Sequence, residues 1–183
     1  DFTFPYTLNG ADNNARVAEL RQAIECANTN STDDVIDLDG HVLSFIDGPY
    51  PYASAQSALP SVSSGVTLRN GELQRDAAAA MLFRFLRVAG GGGALVVDGM
   101  TFRGARGSGG GAIDNAGRLT ALNSRFIDNQ SQVSGAMYEG GAIYSVGALT
   151  IRDSRFEDNQ GRFGGAIYTR DADIRNSRFI DTR

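Results

Sequence analysis

A short repeat in the C-terminal half restricts the folds open to this chain more than any other feature. The motif Gly-Gly-Ala-Ile occurs three times, beginning at Gly110, Gly140 and Gly164. A phenylalanine lies at the equivalent place in four successive units, at Phe102, Phe126, Phe156 and Phe179. The spacings between these phenylalanines are 24, 30 and 23 residues, and the longest contains an insertion. A unit this short differs from most helical-pair repeats and has the length of one coil of a solenoid.

Each unit has the alternating pattern of β-strands. Leu119 and Ala121 alternate with Thr120 and Leu122, and two later segments alternate in the same way. A period of two places one set of side chains inside and the other outside. Equivalent positions on successive coils lie about 4.8 Å apart. The repeated phenylalanines and the motif isoleucines are therefore predicted to form interior columns, with the glycine pairs at the bends.

The N-terminal region differs because its apolar residues recur at helical spacing. These residues are Val17, Leu20, Ala23, Ile24 and Ala27. They predict an amphipathic helix of about three turns, with Asn13 or Asn14 as its N-cap. We expect this helix to cover the first coil, since the end of a solenoid exposes apolar interior. Cys26, in its last turn, is expected to be buried or half-buried rather than reactive.

Together these patterns predict an all-β chain, a single-stranded right-handed parallel β-helix (β-solenoid) with an N-terminal capping α-helix. The 183 residues are enough for one domain, 1–183. Residues 1–34 would hold a first strand and the helix, residues 35–102 irregular first coils, and residues 103–183 regular coils. The proline-containing segment 49–60 is predicted to be a loop between short strands.

Composition excludes several functions. The net charge of −4 and the pI of about 4.9 argue against binding to nucleic-acid phosphates as the main role. No run of 18 apolar residues is present, so no membrane span is predicted. One cysteine and one histidine allow neither an internal disulfide nor a cluster of these metal ligands. Because the chain begins at Asp1 rather than Met, we expect a processed form or an excised piece.

Two parts of the chain resemble bacterial surface families. Leu-Arg-Gln-Ala-Ile at 20–24, with Ala-Asn-Thr-Asn at 27–30 and Asp-Val-Ile at 34–36, is similar to the CSLREAI-type domain that begins surface β-helices. That motif's Cys, Ser and Glu positions hold Ala18, Glu19 and Gln22 here. The Gly-Gly-Ala-Ile and Phe-x-x-Asn units resemble the polymorphic outer-membrane protein repeat. The resemblances imply a secreted or cell-surface location and, in some relatives, adhesion.

Acidic residues recur at one corner of the predicted coils, at Asp128, Asp158 and Asp181. They would form either a calcium-binding or acid–base row, as a polysaccharide lyase or glycosidase needs, or a solvated corner. Recurrence in every coil favours the solvated corner, so no cofactor is predicted and calcium remains the alternative. A second corner column, which could hydrogen-bond from coil to coil, contains Asn123, Asp153 and Asn176.

An exposed column of arginines is predicted one residue before the phenylalanines, at Arg125, Arg155 and Arg178. Stacked like charges repel unless they are paired. The available acidic partners are Asp153, Glu157 and Asp173. The column is therefore either a salt-bridged surface or a binding strip for acidic glycans or a neighbouring subunit.

Two other surfaces are candidates for contact. An insertion at residues 130–138 carries Val133, Met137 and Tyr138. It is either a recognition loop on a rigid scaffold or a plain insertion. The final coil would expose an open edge at Ile167, Ile174 and Phe179. That edge would support end-to-end self-association into a filament, or would continue into further coils if the chain is a fragment.

The function predicted from these features is that of a non-enzymatic, secreted or cell-surface structural or adhesive β-solenoid. Its expected partners are a glycan or host-surface ligand, or further copies of the chain. The alternative is a polysaccharide-binding or polysaccharide-degrading β-helix, a lyase or a hydrolase, since β-helices also carry such sites. Function follows from a site rather than from a fold, and no nucleophile with an oriented base is apparent in the sequence.

Overall fold

The computed structural model describes residues 2–52, 55–133 and 136–183. These residues form a mostly β structure with one helix, in which most strands pair in parallel. The first ten strands are β1 (Tyr6–Thr7), β2 (Asp33–Asp37), β3 (Val42–Phe45), β4 (Tyr50–Tyr52), β5 (Ala55–Ser57), β6 (Gly65–Arg75), β7 (Leu86–Val88), β8 (Ala94–Arg103), β9 (Arg106–Gly107) and β10 (Ile113–Asn115). The rest are β11 (Arg118–Leu122), β12 (Arg125–Ile127), β13 (Gln130–Val133), β14 (Ala136–Met137), β15 (Ile143–Ser145), β16 (Ala148–Arg152), β17 (Arg155–Glu157), β18 (Ile167–Thr169), β19 (Asp173–Arg175) and β20 (Arg178–Ile180).

A large sheet runs the length of the described chain. Its strands follow the order β1-β2-β6-β8-β11-β16-β19, with β3 beside β6 and the row β12-β17-β20 continuing from β8. A four-stranded sheet has the order β7-β10-β15-β18. Four repeat units, at residues 86–103, 113–127, 143–157 and 167–180, therefore each add strands to both sheets. This arrangement is consistent with a solenoid, as the repeat predicts.

The interior column of phenylalanines is confirmed. Phe102 stacks on Phe126 with ring centroids 5.0 Å apart, and Phe126 stacks on Phe156 at 4.7 Å. Phe156 stacks on Phe179 at 4.9 Å, and planes of neighbouring rings deviate by no more than 11°. The first three rings are fully buried, whereas Phe179 in the last unit is 42% exposed. Parallel in-register pairing produces this column, because each ring stands directly over its equivalent one unit away.

The glycine pairs occupy the bends for two different reasons. The first glycine of each pair has a positive φ, which is +78° at Gly110 and +66° at Gly140. Residues that carry a Cβ rarely adopt this backbone conformation. The second glycine allows close approach of neighbouring units, since a Cβ on Gly141 would lie 1.8 Å from the carbonyl oxygen of Gly165. The prediction of glycine-dependent bends is confirmed.

Helix α1 (Asn13–Ala27) packs its five apolar residues against the first strands, as the helical spacing predicts. The N-cap prediction was wrong by one or two residues. Asp12 is the cap, and its Oδ1 accepts a hydrogen bond from the backbone N–H of Ala15 at 2.9 Å. Cys26 is half-buried, as expected. This helix is too short and too polar to span a membrane, and α1 is the helix found within the described ranges.

The segment predicted as a loop contains a hairpin instead. Strands β4 and β5 pair antiparallel, with Tyr50 opposite Ser57. Proline at position 51 lacks a backbone donor and therefore made a strand improbable from the sequence. It is tolerated because this two-stranded hairpin lies outside the larger sheets. The first strand predicted within residues 1–34 is present but short, since only Tyr6 and Thr7 pair with β2.

Candidate functional site

The predicted arginine column exists on the outer face of the large sheet. Arg125, Arg155 and Arg178 are in register on β12, β17 and β20, and all three are exposed. Glu157 makes ion pairs with both Arg125, at 3.5 Å, and Arg155. One carboxylate thus offsets the repulsion between two stacked guanidinium groups. The structure places the column as an exposed ladder that Glu157 partly neutralises.

The other predicted acidic partners do not serve this column. Asp173 pairs with a different row of arginines, at 3.1 Å from Arg152 and 2.8 Å from Arg175. Asp153 forms no ion pair within the described ranges. The prediction was wrong for Asp173 because that residue lies at the start of a strand in register with Thr150, not beside the column.

Both corner columns share one backbone conformation. Asp128, Asp158 and Asp181 are exposed and have φ values of 50°, 54° and 49°. Asn123, Asp153 and Asn176 have φ values of 49°, 51° and 50°. Asn and Asp tolerate this left-handed region better than other residues with a Cβ, which accounts for their recurrence.

The corner acids are also the calcium candidates named from the sequence. Asp128 instead accepts a hydrogen bond from Arg106 at 2.9 Å. Across residues 2–52, 55–133 and 136–183, no three His, Cys, Asp or Glu side chains form a group able to hold a metal. The three acids at this corner are exposed and have a left-handed backbone, as turn residues do.

A buried polar ladder lies beside the corner acids. Asn129 donates to the side-chain oxygen of Asn159 at 3.0 Å, and Asn159 in turn donates to the carbonyl of Phe126 at 2.9 Å. Both asparagines are fully buried. Their position in the Phe-x-x-Asn repeat was visible in the sequence, but the repeat alone does not distinguish a buried amide from an exposed one. The ladder supplies hydrogen bonds to corner backbone and serves structure rather than chemistry.

The predicted insertion forms an antiparallel hairpin of β13 and β14, in which Gln132 lies opposite Met137. The side chains of Val133 and Met137 lie outside the part of the chain that the structure describes. Tyr138 follows the hairpin and is 41% exposed. The nearby Phe163 is 51% exposed and carries the guanidinium of Arg162 over its ring at 5.3 Å.

The last repeat unit leaves apolar side chains open. Ile174 and Phe179 are 40% and 42% exposed, and Ile167 is half-buried. Strands β18, β19 and β20 each pair on one side only within the described residues. The edge predicted for this unit is therefore present in the structure.

A trough on the outer face of the large sheet was missed in the sequence. Strand register places Asp33, Gly65, Ala94 and Arg118 in one row across β2, β6, β8 and β11. Two adjoining cavities of about 160 and 410 Å³ share these four residues as lining. No sequence signal could have joined Asp33 to Arg118, since the strands that carry them belong to different parts of the chain.

Several side chains in the N-terminal part have shifted pKa values, among them Asp37, Asp76 and Tyr6. Burial raises the pKa of Asp37, but hydrogen bonds from the Asp39 backbone, Arg69 and Asn70 outweigh it and hold that pKa below its usual value. Asp76 has a lowered pKa because the backbone N–H of Ala78 and then the hydroxyl of Ser44 donate to it. A hydrogen bond to Glu19 raises the pKa of Tyr6 to about 12. All of these pKa shifts arise from contacts that hold the fold together.

Comparison with known proteins identifies one repeat. Residues 153–170 match the Chlamydia polymorphic membrane protein (Chlamydia_PMP) repeat. This segment contains β17, one Phe-x-x-Asn sequence, one Gly-Gly-Ala-Ile motif and β18. No curated protein and no solved structure matches the chain. The predicted repeat resemblance is confirmed for this segment, while the CSLREAI resemblance stays a prediction.

Proposed function

We propose that the chain is a non-enzymatic bacterial surface module, folded as one right-handed parallel β-helix domain with a capping helix. The observation that carries the proposal is the in-register stack, in which Phe102, Phe126 and Phe156 form one buried column. Such a stack makes a stiff, elongated scaffold whose outer side chains form extended rows. The Arg125–Arg155–Arg178 row is the display surface that follows from it.

The match at residues 153–170 supports the surface location. The repeat is named for a membrane protein of Chlamydia, and a similar unit here favours attachment to, or display at, an outer membrane. It also favours a structural or adhesive role over catalysis, because the matched segment supplies ladder and corner residues of the scaffold.

An adhesion assay tests the display role. Beads coated with the purified chain are expected to adhere to epithelial cells, and the triple variant Arg125→Gln, Arg155→Gln, Arg178→Gln to adhere less. A matched variant with Arg69, Arg152 and Arg175 changed to Gln removes the same charge from the same sheet and should adhere normally. Equal adhesion by uncoated beads would remove support for an adhesive role.

The alternative, a polysaccharide lyase or hydrolase, is tested directly. Neutral and acidic polysaccharides are incubated with the chain, with and without calcium. New reducing ends or absorbance from an unsaturated uronate would overturn the non-enzymatic proposal. We expect neither product.

We further propose that the open edge of β18, β19 and β20 accepts another coil of the same repeat. Half-exposed Ile174 and Phe179 would then be covered, and the unpaired backbone groups of the edge would gain partners. Light scattering of the 183-residue chain tests pairing between copies. We expect the measured mass to rise with concentration and Phe179→Arg to abolish this rise. A monomer at every concentration would rule out pairing between copies.

A further inference from the structure

We infer that the trough between Asp33 and Arg118 binds an acidic oligosaccharide. The inference deepens the proposed adhesive role and rests on it, since it names the ligand class of one surface. It is carried by the charges, the shape and the free hydroxyls of this trough, which lies on different strands from the Arg125–Arg155–Arg178 row.

The shape of the trough follows from two small residues. Asp33 and Arg118 stand at its ends, and Gly65 and Ala94 form the floor between them. The ends are three strand spacings apart, or roughly 14 Å along the sheet. A Cβ on Gly65 would lie 1.9 Å from Oδ1 of Asp33, so the carboxylate already leans over this floor.

The two end charges are free for a ligand. On the same sheet face, Arg69 pairs with Asp37 at 2.7 Å and Arg103 pairs with Glu72 at 2.7 Å. Within the described residues, neither Asp33 nor Arg118 makes an ion pair or a side-chain hydrogen bond. The floor residues keep these two opposite charges too far apart to neutralise each other.

The walls add hydroxyl groups without a protein partner. Thr67 and Thr120 line one cavity, and Ser31 and Ser63 line the other. None of these four hydroxyls hydrogen-bonds to another described residue. Hydroxyls that can both donate and accept match the hydroxyls of a sugar.

The chemistry favours a saccharide over a peptide. A sugar carboxylate would pair with the guanidinium of Arg118 through two parallel hydrogen bonds. Vicinal sugar hydroxyls at the other end would donate to the carboxylate of Asp33, which accepts at both oxygens. A peptide gains its affinity on a sheet mainly by pairing with an edge strand, whereas this face presents side chains only, because β2, β6, β8 and β11 pair with one another.

Binding of 3′-sialyllactose to the purified chain, measured by calorimetry, tests the inference. Lactose is the matched neutral probe, and triglycine is the zwitterionic peptide probe. We expect sialyllactose to bind at least about tenfold more tightly than either, as one charge-assisted pair provides. Equal binding of lactose, or tighter binding of triglycine, would overturn the assignment.

Substitutions test whether sialyllactose binds in the trough. Arg118→Gln should weaken sialyllactose binding about tenfold and remove the preference over lactose. Ala94→Leu should block the floor and weaken both sugars, whereas Arg175→Gln, which removes an equal charge elsewhere on the sheet, should leave binding unchanged. An unaltered affinity in Arg118→Gln would overturn the site, provided that thermal unfolding shows each variant folded. Failure of the unmodified chain to bind sialyllactose, together with normal bead adhesion, would reject the inference and leave the proposed function standing.

Discussion

The two ends of the stack are built from similar strands, but their edge strands are covered differently. At the first strands, helix α1 covers the interior, and Asn13 at its start and Asn28 just after its end each pair with the backbone of a neighbouring segment. Asn13 accepts from the N–H of Ser44 at 2.8 Å and donates to the carbonyl of Ser44 at 2.9 Å. Asn28 accepts from the N–H of Ser63 and donates to the carbonyl of Ser61, both at 2.8 Å.

A carboxamide carries one donor and one acceptor group, just as a residue of a neighbouring strand does. At the last unit no such groups meet β19 and β20 within the described residues, and Ile174 and Phe179 are left about 40% exposed. Helix α1 and its flanking asparagines thus supply both an apolar cover and partners for backbone groups, and the last unit has neither within the described residues. The backbone groups of the edge must be satisfied as well.

The largest effect is expected when a buried phenylalanine of the stack is compared with the open one. Phe126→Ala should lower the free energy of unfolding by about 3–5 kcal/mol, because it removes a fully buried ring and leaves a cavity. Phe179→Ala should cost less than half of that, since its ring is 42% exposed. Urea unfolding measures both. Equal costs would mean that the last unit is covered in solution.

The next largest effect is expected when the asparagine hydrogen bonds at the covered end are removed. Asn28→Ala should lower the free energy of unfolding by about 1–3 kcal/mol, because the edge groups of Ser61 and Ser63 lose their partner. Asn14→Ala is the matched control, since Asn14 is exposed on the same helix and alanine favours helix. If both variants unfold alike, the carboxamide pairing contributes nothing.

A pH titration sharpens the comparison at the covered end. The folded pKa of Asp37 lies below its unfolded value of 3.8, so its contribution to stability is present above that pH and is lost as the pH falls through the folded pKa. The melting temperature should therefore fall as the pH is lowered below the unfolded value of 3.8. Asp37→Asn should reduce this dependence. An identical pH profile in the variant would contradict the role of its contacts with Arg69 and Asn70.

The smallest effect is expected at the surface ion pairs of the open end. Arg152 and Asp173 are 44% and 40% exposed at a separation of 3.1 Å. Arg152→Gln should change the free energy of unfolding by only about 0–1 kcal/mol, because solvent screens the pair. A loss well above this range in chemical denaturation would show that the pair is shielded, for example by a further coil.

The regular units could be predicted in detail because each position recurs in several units of the sequence. The alternation around Leu119 and the repeated Phe126 identify buried columns, and pairing in register confirms them. The apolar face of α1 was equally visible, since helical spacing is a local property. The ion pair between Asp173 and Arg152 was missed. Which outer side chains meet depends on where each strand begins and ends, and the repeat does not show this.

The sequence by itself determined which apolar positions are buried, where the bends need glycine, asparagine or aspartate, and where the helix lies, because each of these depends on nearby residues. Only the tertiary structure decided the pairing of Asn28 with residues 61–63 and the trough between Asp33 and Arg118. Those contacts depend on which strands pair and in what register, and strands that share no repeat carry no sequence signal that identifies their partners.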